Sequence, residues 1–89
     1  MTRKQINNVA IGIGLKHLSD HLQSILIKKG RGSFSSSHEL LGVLLEEFEE
    51  FKTNVMNNSS DDDKCNELLD VAATAIFGYI CYKENGMEW

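Results

Sequence analysis

Apolar residues recur along this chain at intervals of three and four rather than two, and no proline interrupts them, so the pattern predicts three helices and no sheet. The first helix covers about Gln5 to Lys28. In it Ile11, Leu15, Leu18, Leu22 and Ile25 form a packing seam, and Lys28-Lys29-Gly30 closes it with cations in the last turn and a glycine beyond. The linker "GRGSFSSS" leads into Ser36-Ser37-His38-Glu39, a Ser-x-x-Glu capping box that opens a second helix from about Ser37 to about Met56. On that helix Leu40, Leu44, Phe48, Phe51 and Val55 define the buried stripe. "NNSSDDDK" then supplies a turn, a serine cap and three aspartates, the charge a helix N-terminus favours, before a third helix from about Asp61 to Glu84.

The third helix changes the picture. From Leu68 to Tyr82, "LLDVAATAIFGYICY", it is apolar on every side apart from Asp70 and the small Thr74 and Gly78. A helix apolar all round is buried all round. Three helices from one short chain cannot surround one of their own in this way, so a second copy is expected to complete the bundle. The expected fold is all-α: residues 1–89 form a single three-helix domain, and this protomer builds a dimeric or higher helical bundle.

Composition narrows the partners. Nine Lys+Arg against thirteen Asp+Glu give a net charge of −4 over 89 residues, the wrong sign for binding nucleic acid through its phosphates. Apolar runs fall far short of the about 20 residues that cross a bilayer, and no signal-peptide pattern follows Met-Thr-Arg-Lys, so a soluble, cytoplasmic protein without membrane contact is expected. Cys65 and Cys81 fall on one continuous helix, too far apart to bridge, and read as reduced thiols.

Against that apolar background the acidic residues stand out. "LLEEFEEF", Leu44 to Phe51, sets four carboxylates into five positions, with like charges at i,i+3 and i,i+4 that repel by roughly 0.2–0.5 kcal/mol per pair. Asp70 enters the apolar third helix with no Lys or Arg at i±3 or i±4, and its nearest acidic neighbour is Glu67, one turn earlier on the same face. Two such carboxylates cost several kcal/mol of desolvation unless they protonate or bind a metal. Folding the second and third helices into an antiparallel hairpin about Asn58 and Ser59 sets Glu50 level with Glu67 and Glu47 level with Asp70. Glu46 and Glu49 match nearly as well in height. Rotation separates the pairs: Glu47/Glu50 is centred roughly 100° from the middle of the apolar stripe and Glu46/Glu49 roughly 160° away, at about 100° per residue. Glu47, Glu50, Glu67 and Asp70 are therefore the expected ligands, and four oxygens suit a hard cation, Mg²⁺ or Mn²⁺.

Glu46-Glu47-Phe48-Glu49-Glu50, followed some sixteen residues later by "ELLDVAATA", resembles the MazG-like all-α nucleoside triphosphate pyrophosphohydrolases, whose signature is ExxE…ExxD on two helices of a dimeric four-helix bundle. "HELLGVLLEEFEEF" is similar to the lead-in of short phage and integron members. The resemblance covers about Ser36 to Tyr79, and its four metal ligands map onto Glu47, Glu50, Glu67 and Asp70. It implies a Mg²⁺-dependent enzyme that cleaves a nucleoside triphosphate to the monophosphate and pyrophosphate, with Glu46 or Glu47 taking the proton of the attacking water. The chain departs from the family pattern in having no Lys or Arg between Asp70 and Lys83, where members often place one.

Other residues are candidates for contact. Arg31, Phe34 and His38, in and beside the "GRGSFSSSH" linker, are candidate substrate-binding residues, with Phe34 available to stack on a base. Lys28, Lys29 and Arg31 either meet substrate phosphates or only cap a helix. His17 and His21, at i,i+4, lack a third ligand beyond Asp20 and read as a polar shoulder of the seam rather than a zinc site. Trp89 either caps a pocket or frays. The alternative function is non-enzymatic: a helical dimer whose acidic cluster binds a cation or a basic protein partner. Turnover separates the two.

Overall fold

The computed structural model describes residues 2–84 and 86–87; Trp89 lies outside the described residues. Among them are three helices and no strand: α1 (Asn8–Lys29), α2 (Ser37–Met56) and α3 (Asp61–Lys83). Each begins at a side-chain cap. Asn7 Oδ1 accepts from the Ala10 amide at 2.9 Å, which starts α1 three residues later than the apolar spacing suggests. Ser36 Oγ accepts from the Glu39 amide at 3.2 Å, but the return bond from Glu39 Oε1 goes to the Ser35 amide at 2.9 Å, one residue outside the usual capping box. Ser60 caps α3 through the Asp63 amide at 3.1 Å. α1 ends where Gly30 takes φ +89° and its amide bonds to the Leu26 carbonyl at 2.8 Å.

Asn54 organises the reversal between α2 and α3. Its carbonyl accepts from the Ser59 amide at 2.9 Å, its Oδ1 accepts from Ser59 Oγ at 3.2 Å, and its Nδ2 donates to the Asp63 carbonyl at 3.3 Å. Asn58 carries the positive φ of 51° that the turn needs, a conformation asparagine tolerates better than most residues.

α3 packs on both α2 and α1, and a small core forms where they meet: Leu26 of α1, Leu40 of α2, and Ala73 and Cys81 of α3. Leu40 lies directly over Gly78, where a Cβ would stand 2.6 Å from its Cδ2, so the missing side chain lets α2 and α3 approach. At the same end Ser33 Oγ donates to the Gly86 carbonyl at 2.5 Å, and Ser37 shares a hydrogen bond with Tyr82. Both cysteines are free, Cys65 exposed and Cys81 buried.

Two apolar stripes differ from expectation. On α1 the seam packs only in its C-terminal half; Ile11 and Leu15 are 49% and 62% exposed. On α2 the inward stripe is Leu40, Val43, Leu44, Glu47 and Phe51, while Phe48 and Val55 face away with Leu41 and Leu45. α2 carries two apolar stripes, and the close approach of Leu40 to Gly78 selects the one that turns Glu47 inward. Among the described residues the outer stripe has no partner.

The chain is accordingly open. Its radius of gyration is 14.8 Å, against about 12 Å for a compact domain of this length. It exposes 6959 Å², where about 5,200 Å² is usual for its mass. Among the described residues no helix is long and apolar enough to cross a membrane.

Candidate metal centre

Midway along the α2–α3 hairpin four carboxylates converge. Glu47 and Glu50 come from successive turns of α2, Glu67 and Asp70 from successive turns of α3, and one oxygen from each lies within 4.8 Å of the others. The i,i+3 spacing on each helix stacks two acids on one face. The antiparallel reversal at Asn54–Ser59 then brings the two faces together at one height.

Like charges this close need a counter-charge. Glu47 Oε2 and Glu67 Oε2 are buried, and neither has a hydrogen-bond partner among the described residues. Burial, followed by the charges of Glu50 and Asp70, raises the Glu47 carboxyl above its ordinary value, and only partly does the Lys29 charge oppose this. Glu67 is pushed up to about 7 by burial, by a hydrogen bond with Glu50, and by the charges of Glu50, Asp70 and Glu47. Buried oxygens without a protein partner, acids pushed toward protonation and an all-carboxylate donor set all fit a hard divalent cation. This acidic cluster is able to hold one.

α1 adds a residue that the sequence pattern did not place here. His21 Nε2 lies 2.6 Å from Asp70 Oδ1, so the ring donates to one of the four carboxylates and orients it. The available signal was position: His21 falls between Leu18, Leu22 and Ile25 on the packed half of the seam. Which carboxylate it meets depended on how α1 docks on α3. His17 is exposed.

The cluster borders two hollows. One, of about 460 Å³, opens from Glu47, Asp70 and His21 into the gap between α1 and α2, with α3 as its floor. Phe34 and Phe77 line it as an edge-to-face pair, centroids 5.8 Å apart at 66°, and Lys28 and Lys29 line it from the end of α1. The second, of about 410 Å³, lies on the other side of the cluster and is lined by Glu46, Glu49, Glu50, Thr53, Asn54 and Glu67. Of the candidate substrate contacts, Phe34 therefore faces the first hollow. Arg31 instead donates to Gln23 Oε1 at 3.1 Å and does not line it, and His38 stands exposed in the first turn of α2. Glu46 is exposed beside the second hollow.

Compared with family models, curated proteins and solved structures, the chain gives no match in any of the three.

Proposed function

We propose that the protein is a Mg²⁺-dependent, MazG-like nucleoside triphosphate pyrophosphohydrolase that works as a homo-oligomer. The observation carrying this reading is the convergence of Glu47, Glu50, Glu67 and Asp70 with two orphaned oxygens, beside a hollow of nucleotide-binding size that has an aromatic wall. Glu47, Glu50, Glu67 and Asp70 hold the cation, Mg²⁺ or Mn²⁺, and His21 fixes the orientation of Asp70. When bound, such a cation neutralises phosphate charge and lowers the pKa of a coordinated water. Phe34 offers its ring to the base, and Glu46 or Glu47 accepts the proton of the attacking water as the bond between the α and β phosphates breaks.

A second copy is supported by the outer stripe of α2, where Leu41, Leu45, Phe48 and Val55 are each about half exposed, and by the exposed Leu68, Tyr79 and Tyr82 of α3. The surplus surface is of the size that obligate dimers bury, about 2,000 Å² or more over both partners. Sedimentation at micromolar concentration tests this: a compact 10.0 kDa species with native helicity contradicts it.

The activity is tested with a panel of nucleoside triphosphates and Mg²⁺ or Mn²⁺, resolving products by chromatography. Monophosphate plus pyrophosphate is expected. Diphosphate plus orthophosphate contradicts the reading, and absence of turnover with every nucleotide transfers the weight to a non-enzymatic dimer whose acidic cluster binds a cation or a basic partner.

A further inference from the structure

A polyphosphate approaching this site meets four carboxylates on a chain of net charge −4, so some cation of the protein has to draw it in. α3 cannot supply one next to the cluster, because no Lys or Arg lies between Asp70 and Lys83. α2 carries only Lys52, which lines neither hollow. Lys64 precedes Glu67 by one turn, but it too lines neither hollow. Arg31 is engaged with Gln23.

Lys28 and Lys29 remain, at the end of α1 on the rim of the same hollow as Glu47 and Asp70. Among the described residues neither makes an ion pair or a side-chain hydrogen bond. Both line this hollow together with Glu47, and of the two Lys29 is the one whose positive charge opposes the upward shift of the Glu47 carboxyl. A lysine in a last helical turn also suits the helix dipole, which accounts for a cation at that position but not for one lining the same hollow as Glu47 and Asp70.

We infer that Lys29 is the phosphate-binding cation of this site, contributed by α1 across the cavity from the carboxylates of α2 and α3, and that it contacts a non-bridging phosphate oxygen of the substrate directly. The inference rests on the proposed reading of the cluster as a cation-dependent polyphosphate site. Lysine serves here as a mobile point charge on a long stem, able to reach phosphates of differing pose. The end of α1 becomes part of the site, and Gly30, by ending the helix there, leaves Lys29 on the rim.

The test measures binding of inorganic triphosphate with Mg²⁺, and of Mn²⁺ alone, to the wild type and to Lys29→Gln, Lys29→Arg and Lys52→Gln. Triphosphate binding is expected to weaken tenfold or more in Lys29→Gln, to recover largely in Lys29→Arg, and to be unchanged in Lys52→Gln. Mn²⁺ alone should bind Lys29→Gln as tightly as the wild type or more tightly, since a repelling charge near Glu47 has gone. Triphosphate affinity that is unaffected in Lys29→Gln, or equally reduced in Lys29→Gln and Lys52→Gln, overturns the inference while leaving the cation site standing. A wild type that takes up no Mn²⁺ and no triphosphate overturns the cation site and the inference together.

Discussion

The two halves of the α2–α3 hairpin are built on opposite terms. At its open end, Leu40 closes over Gly78, Cys81 is buried, and Ser37 and Ser33 tie the chain to Tyr82 and Gly86. Midway toward the turn the same two helices press four carboxylates together, with two oxygens buried and unpartnered. The first half gains stability from contact; the second loses it to desolvation and like-charge repulsion. The difference teaches that the packed end acts as the clamp that holds the acids at a spacing they would not choose for themselves, which is the arrangement expected where local strain serves a site.

The largest effect should come from removing one member of the cluster. Glu50→Gln or Glu67→Gln is expected to lower nucleotide turnover by about two orders of magnitude or more, the scale set by deleting a preorganised electrostatic partner, while the helical content measured by circular dichroism stays the same. Retained turnover in either variant breaks the assignment of function to this half of the hairpin.

Overfilling the clamp should come next. In Gly78→Val the new side chain meets Leu40 at contacts under 3 Å, and overpacking of this kind costs about 1–3 kcal/mol, or roughly 5–20 °C in Tm for a domain of this size. A Tm equal to that of the wild type means that α2 and α3 are not held by this contact.

A smaller effect follows from pH. Glu47 and Glu67 are both raised in the folded chain, Glu67 to about 7 from 4.5, so without metal the native state binds more protons than the unfolded one between those values. The Glu67 contribution to stability is full below about pH 4.5 and is lost as the pH rises through about 7, and the raised Glu47 carboxyl acts in the same direction. Metal-free protein should therefore melt several degrees lower at pH 8 than at pH 5.5, and millimolar Mg²⁺ should restore most of the difference at pH 8, because binding to the ionised cluster stabilises the native state. A melting temperature that rises with pH in the absence of metal contradicts the strained state of the cluster.

The smallest effect is expected at Glu49, one residue from Glu50 of the cluster. It is exposed and lies beside the second hollow, outside the set of four, so Glu49→Gln should keep most of the turnover and change Tm little. Equal losses at Glu49 and Glu50 would show that a one-residue rotation of α2 does not matter, and that the acids act as a diffuse charge.

Local chemistry was enough to read the three helices and most of their ends, though not the start of α1, where the Asn7 cap begins the helix three residues later than the apolar spacing suggests. Ser36 and Ser60 precede acidic residues, Gly30 follows two lysines, and each of these signals works through a bond to a backbone group three or four residues away. The level pairing of Glu47 with Asp70 and Glu50 with Glu67 was equally legible, because an antiparallel hairpin with a short turn fixes heights by counting residues. The rotation of α2 was harder, since its two apolar stripes give nearly the same periodic signal. In the folded chain Leu40 seats over Gly78, 38 positions away, and Val43 and Glu47 turn inward with it while Phe48 and Val55 stay outside. The docking of α1 lay further still from anything local. It put His21 on Asp70, 49 residues distant, raised Phe34 and Lys29 around a cavity, and left Ile11 and Leu15 exposed. The sequence by itself determined the three helices, their caps and the height at which the acids meet, because those depend on neighbours within a few residues. Only the tertiary structure decided which faces turn inward and which side chains of α1 join the site, because shape complementarity between distant surfaces has no periodicity along the chain.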